Sequence, residues 1–145
     1  MNTEPSLPVE PRETLSGILE FEHLEVGQER AVGRFTVASR HKQPFGLVHG
    51  GTYAALAEGL VSEATAQAVV PTGMLAQGMS HNLNFLRPVF EGSVEAVGTR
   101  RHRGRTSWVW DVDMTDDRGR LCATSRVTVA VRPMPDEMKA RLGIA

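Results

Sequence analysis

Lys42-Gln43-Pro44-Phe45-Gly46-Leu47-Val48-His49-Gly50-Gly51 leads directly into an apolar segment running from Thr52 to Val70. Pro44 and Gly46 mark a loop. His49-Gly50-Gly51 marks a tight backbone whose amides no side chain covers. Thr52 to Val70 reads as a helix whose only charges are Glu58 and Glu63. Bare glycine amides at a helix N-terminus form an anion site. A buried-looking carboxylate, Glu58, on such a helix is a candidate acid, base or nucleophile. Together they suggest an oxyanion hole and its catalytic partner.

The rest of the chain is read outward from this stretch. The helix is apolar nearly all round, with Leu56, Leu60, Val61 and many alanines, so it is buried on most sides. Phe21 to Val26 and Ala31 to Ala38 read as strands joined by a turn at Gly27. Phe35 and Val37 alternate with Arg34 and Thr36, the pattern of a half-buried strand. The helix stops near Pro71 and Gly73. Strands follow at Ser80 to Leu86, Ser93 to Arg103, Thr106 to Thr115 and Leu121 to Val131. Turns fall at Pro88, Gly104 and Asp116-Asp117-Arg118-Gly119. This predicts an α+β domain, an antiparallel sheet wrapped around one long helix. One sheet of this size leaves part of the helix open, and a second copy of the chain is the natural cover. Residues 1–13, with Pro5, Pro8 and Pro11, are expected to be a flexible tail. Residues 14–133 form the domain, and 134–145 a tail or short helix.

At 145 residues and 41% hydrophobic content, the chain fits one globular domain with a proper core. Nothing in it reads as a membrane span or a signal peptide. The single cysteine, Cys122, forms no internal disulfide and fits a cytoplasmic location. Mid-strand, it reads as a small core residue. The histidines at 23, 41, 49, 81 and 102 show no metal-ligand spacing. Asp111 and Asp113 read as exposed charges on one strand face.

The net charge is -1, yet the halves differ. Residues 1–80 hold five Lys/Arg against nine Asp/Glu, and residues 81–145 hold eleven against eight. The excess gathers at Arg100, Arg101, Arg103 and Arg105, a cluster suited to phosphates or to a solvated hairpin end. No nucleic-acid-binding pattern accompanies it.

Gln43, Gly50, Glu58 and Ser62 form the candidate constellation. Glu58 and Ser62 are four apart and stack on one helix face, where Ser62 could hydrogen-bond the glutamate or a water. Gly50 and Glu58 are eight apart, roughly 12 Å along a helix at 1.5 Å per residue. A single carbonyl needs reacting groups at roughly 3 Å. If both act on one carbonyl, Gly50 of one subunit must meet Glu58 of another. His49, before two glycines, reads foremost as a loop or cap residue.

The segment from Gln43 to Gly51, with Glu58 following, resembles the catalytic stretch of hotdog-fold acyl-CoA thioesterases. It is most similar to the 4-hydroxybenzoyl-CoA and 1,4-dihydroxy-2-naphthoyl-CoA thioesterase branch, which uses glutamate on the helix and glutamine in the loop. Asn84-Phe85-Leu86-Arg87-Pro88, His102-Arg103-Gly104-Arg105 and Asp117 to Arg126 add to the likeness, which covers about residues 15–132. The resemblance implies that Gly50 donates its amide to the thioester oxygen and that Glu58 is nucleophile or general base. It implies that Gln43 places the thioester or the water, that His49 supports loop and substrate, and that Ser62 positions water. Arg87, Arg103, Arg105 and Thr106 would meet coenzyme A. Some relatives carry a histidine near the nucleotide where this chain has Phe85.

The expected reaction is hydrolysis of an acyl-CoA thioester with an aromatic or bulky acyl group. It uses no metal or redox cofactor, coenzyme A being part of the substrate. The expected assembly is a dimer or a dimer of dimers, with no nucleic-acid or membrane partner. The rival expectations are a hotdog dehydratase or hydratase using His49 and a glutamate, which releases no thiol, and a non-catalytic acyl-CoA-binding module.

Overall fold

The computed structural model describes residues 7–145. The first six residues of the expected tail lie outside that range. Within it, Pro11–Glu13 form a 3-10 turn. Helix α1, Leu15–Ile18, is capped by Thr14, whose Oγ1 accepts from the Gly17 amide at 3.2 Å. Six strands follow: β1 Glu22–Val26, β2 Arg30–Thr36, β3 Met74–Phe85, β4 Ser93–Arg103, β5 Ser107–Asp116 and β6 Leu121–Pro133. Between β2 and β3 lies helix α2, Gly50–Val69, extended by a 3-10 turn over Val70–Thr72. Helix α3, Asp136–Leu142, closes the chain.

The strands form one antiparallel sheet in the order β1-β2-β4-β5-β6-β3. It curls around α2 as expected. Alternation along β5 explains the core: Trp108, Trp110, Val112 and Met114 all point inward and are buried. They meet Leu56, Leu60 and Val61 of the helix, which are fully buried. Each such leucine contributes about 2 kcal/mol by leaving water. A buried polar link pins the helix to the sheet. The Trp110 indole N–H donates to Thr65 Oγ1 at 3.1 Å, and that hydroxyl donates to the Val61 carbonyl at 2.8 Å. Cys122 is buried within this core.

On the outer face, Asp111 and Asp113 are better tied than free charges. Arg126 donates to Asp111 at 2.7 Å and Thr124 to Asp113 at 2.8 Å. The Arg126 hydrogen bond holds the Asp111 carboxyl below its ordinary pKa. Such exposed pairs contribute well under about 1 kcal/mol each.

Two expectations need correcting. Strand β3 starts at Met74, not Ser80. Its register shifts between Gly78 and Ser80, and that irregularity erases the alternation a reader needs to see the first half. Glu58 is exposed in the single chain, not buried. The sheet covers one side of α2, and Glu58 lies at the margin of that cover. Among the described residues no helix is long and apolar enough to cross a membrane.

Candidate active site

The loop before α2 is held almost entirely by its own hydrogen bonds. The Gln43 amide donates to the Leu47 carbonyl at 2.9 Å, and the Gly46 amide to the Gln43 carbonyl at 2.9 Å. The Phe45 amide donates to Gln43 Oε1 at 2.6 Å. Gly46 supplies the left-handed backbone, φ +93°, that lets the loop reverse. His49 is the helix N-cap, with Nδ1 accepting from the Gly51 amide at 2.8 Å. Its place is therefore the cap expected for it.

Beneath the loop stands His41, which sequence reasoning did not single out. It is buried, with Nδ1 accepting from the Ala38 amide at 2.9 Å and Nε2 donating to the Leu19 carbonyl at 2.7 Å. Its own carbonyl accepts from the His49 amide at 2.8 Å and the Thr52 hydroxyl at 3.0 Å. The ring lies 4.7 Å from that of Phe35. The His41 side chain thus ties Leu19 to Ala38, while its main-chain carbonyl holds the start of α2. Its only sequence signal was a histidine a few residues before the loop.

Gly50 is the first residue of α2, so its amide has no acceptor inside the helix. A Cβ at this position would collide with the Phe85 ring. Gly50, Gln43 and Arg87 line one cavity of about 380 Å³ with Leu47, Tyr53, Phe85 and Leu86. Burial pushes the Tyr53 phenol upward, and it stays protonated. The cavity therefore joins an amide with no acceptor inside its helix to an apolar wall.

Glu58 lies elsewhere, in a smaller cleft of about 130 Å³ with Gly78, Met79, Ser80 and His81. Ser62 is one turn further along α2, but its Oγ is buried and bonds to nothing among the described residues. The expected Ser62–Glu58 hydrogen bond is not made. The structure thus brings Gln43, His49 and Gly50 together and leaves Glu58 and Ser62 apart from them, as the helix spacing requires.

The arginines also separate. Arg103 and Arg105 line a cavity of about 540 Å³ with Met74 and Trp108. Arg103 stacks 4.9 Å over the Trp108 ring and donates to Gln28 Oε1 at 2.8 Å. Thr106, exposed beside them, accepts through its carbonyl from the Val131 amide at 2.9 Å. Arg87, expected to meet the same coenzyme, stands at the opposite end of β3. The strand's 12 residues span about 35 Å at roughly 3.3 Å each. Within one chain these cations cannot share a phosphate.

Residues 45–123 match the thioesterase superfamily, more than half of the chain. The chain belongs to the thioesterase superfamily. It is 37% identical over 113 residues to the 1,4-dihydroxy-2-naphthoyl-CoA hydrolase of Escherichia coli, covering 78% of this chain and 81% of that protein. It is 37% identical over 118 residues to a proofreading thioesterase of Cronobacter turicensis, covering 81% and 85%. The crystal structure of a mutant thioesterase from Pseudomonas aeruginosa superposes with a TM-score of 0.82 at 34% identity, covering 86% of this chain and 89% of that one. This thioesterase therefore has the hotdog fold, and the enzyme is a thioester hydrolase. The expectation of a dehydratase or of a non-catalytic module gives way to that class. In this thioesterase the cleft around Glu58 also holds His81, a residue that sequence reading had treated only as lacking metal spacing.

Proposed function

We propose that the protein hydrolyses an acyl-CoA thioester carrying an aromatic or bulky acyl group, at sites shared between two protomers. The observation that supports this most is the 380 Å³ cavity, where the free Gly50 amide meets Leu47, Tyr53, Phe85 and Leu86. The thioester carbonyl oxygen takes its hydrogen bond from Gly50 at the positive end of α2. Gln43 and His49 set the loop that aims this amide. The acyl group occupies the apolar wall. Glu58 acts as nucleophile or general base, and Ser62 helps position water. No metal or redox cofactor enters.

Glu58 reaches the carbonyl only from another protomer. Among the described residues, strand β3 pairs with β6 on one side and with no strand on the other. Such an edge is open to a second copy. A two-fold axis there reverses one β3 against the other, so the Phe85 end of each protomer meets the Met74 half of its partner. That motion carries Gly50 of one protomer toward Glu58 of the other. It also carries Arg87 of one toward Arg103, Arg105 and Thr106 of the other, where the coenzyme phosphates bind. Met79, Phe85 and Leu86, each more than half exposed in the single chain, support a cover of this kind. The dimer is the minimal unit, and a dimer of dimers is built on the same pairs.

Thiol release across a panel of aryl-CoA, branched and straight-chain alkyl-CoA esters tests the reading. Aryl or bulky esters are expected to give the highest kcat/KM. Cleavage of simple thioesters with none of any CoA ester overturns the coenzyme assignment. A preference for short straight chains overturns the acyl assignment.

A further inference from the structure

The irregularity in β3 sits directly below Glu58. Gly78 lies opposite Val129, Ser80 opposite Thr128 and His81 opposite Val127. Val127 and Val129 are fully buried and face the helix. Gly78 and His81 therefore face the helix as well, and Met79 is the inserted residue. Strict alternation would put two residues three apart on opposite faces. The bulge re-aims His81 inward, as bulges beside active sites do.

Each piece of this cleft then has a reason. Gly78 leaves the floor bare, because a Cβ there would lie 2.8 Å from the Glu58 carboxyl carbon. Glu58 and His81 line the same cavity. His81 Nε2 is buried and has no hydrogen-bond partner among the described residues, and the same is true of Ser62 Oγ. Ser62 is one helical turn from Glu58. Buried polar atoms in native proteins are paired, and an ordered water needs two to four polar partners. Glu58, Ser62 and His81 supply three.

We propose that His81 is a positioning residue for the hydrolytic water, accepting a hydrogen bond at Nε2 from the water that Glu58 deprotonates. This rests on the thioester-hydrolase reading of Glu58 and makes it a general base. The water oxygen forms a bond to the carbonyl carbon as its proton passes to Glu58. The carbonyl π pair moves to the oxygen held by Gly50. Collapse breaks the carbon–sulfur bond, and the departing thiolate takes the proton from Glu58. Acid and free thiol result. His81 holds the second O–H of the water, so a lone pair stays aimed at the carbonyl.

Only the neutral imidazole can accept that bond. Burial pushes the His81 pKa below its ordinary value, and the Glu58 carboxylate opposes the shift. Glu58 faces it from α2, with the uncharged Ser62 one turn further along. Val127 faces it from β6, and its strand neighbours Ser80 and Asn82 carry no charge. Activity therefore falls on the acid side as His81 takes up a proton.

His81→Leu is expected to lower kcat about tenfold, the scale of one hydrogen bond to a reacting group, with KM little changed. The acidic limb of log kcat/KM should become shallower by about one unit of slope. His81→Gln keeps an acceptor near Nε2 and should recover most of kcat while retaining the shallow limb. Wild-type kcat and pH profile in His81→Leu overturn the proposal. Equal losses in both variants overturn it too, because a structural role makes no distinction between them. Glu58→Gln separates the two ideas. Activity that survives in Glu58→Gln removes the underlying reading. An inactive Glu58→Gln beside an unaffected His81→Leu removes only the role of His81. A readout independent of turnover is the NMR titration of the His81 ring, whose pKa should drop further in Glu58→Gln. An unmoved titration shows that the two groups share no cleft and overturns the proposal.

Discussion

Around Gly50 the side chains of the loop are paired within it, whereas around Glu58 two buried polar atoms, Ser62 Oγ and His81 Nε2, have no partner among the described residues. Gln43, His49, His41 and Thr52 spend their hydrogen bonds on the loop and on each other. Glu58 is exposed, and the buried Ser62 Oγ and His81 Nε2 bond to nothing among the described residues. The first region holds a backbone amide in place, a task that needs rigidity. The second presents side chains to something outside the chain's own bonding. In the proposed site, two halves of one chemistry are built on different terms on a single helix.

The sharpest way to break this contrast is to alter one side chain in each half. Glu58→Gln should cut kcat at least about a hundredfold, the scale of lost acid–base or nucleophilic catalysis. Its melting temperature should move little, since an exposed substitution costs within about 0.5 kcal/mol. His41→Ala should do the reverse. It leaves the Ala38 amide and Leu19 carbonyl unpaired and opens a cavity, a loss of about 2–4 kcal/mol in stability. Denaturant melts and initial rates on both variants check the pair. A Glu58→Gln protein that unfolds early, or a His41→Ala protein of normal stability, erases the distinction.

The distance between the arginine groups offers a gentler test. Arg105→Ala should raise KM for acyl-CoA about three- to tenfold, the yield of one exposed phosphate contact. Pantetheine thioesters, which lack the nucleotide, should be unaffected. Arg105 suits this better than Arg103, whose stacking on Trp108 mixes packing with charge. Equal KM changes on both substrates would place Arg105 away from the nucleotide.

The smallest signal, and the one that joins the halves, comes from mixing two weakened proteins. One carries Glu58→Gln and the other Gln43→Ala. A mixed dimer with shared sites holds one site with both lesions and one with neither. Random exchange at equal concentrations makes half the dimers mixed, so about a quarter of wild-type activity returns. Mass spectrometry that shows exchange without recovery would sink the shared site.

Much of the loop and helix was legible in the chain itself, and the reason is locality. Pro44, Gly46 and His49-Gly50-Gly51 set backbone geometry over a few residues, and the apolar run to Val70 needs no distant partner to read as a buried helix. Helix rise alone separated Gly50 from Glu58, and the two distinct cavities repeat that separation. Alternation in β5 was likewise visible, since Trp108, Trp110, Val112 and Met114 fall two apart. His41 was not legible as a brace, because its partners Ala38 and Leu19 matter only once the chain has folded back.

The sequence by itself determined the α+β class, the loop that opens α2 and the separation of Gly50 from Glu58 along the helix. Each follows from local dihedral preference, period or helix rise. Only the tertiary structure decided that Glu58 lies at the edge of the sheet's cover, that Arg87 and Arg105 stand at opposite ends of β3, and that His81 faces the helix. The last depends on which residue of β6 lies opposite, more than forty positions along the chain, and on one inserted residue at Met79. A single step in register inverts a strand's faces, and no local pattern in β3 records where that step falls.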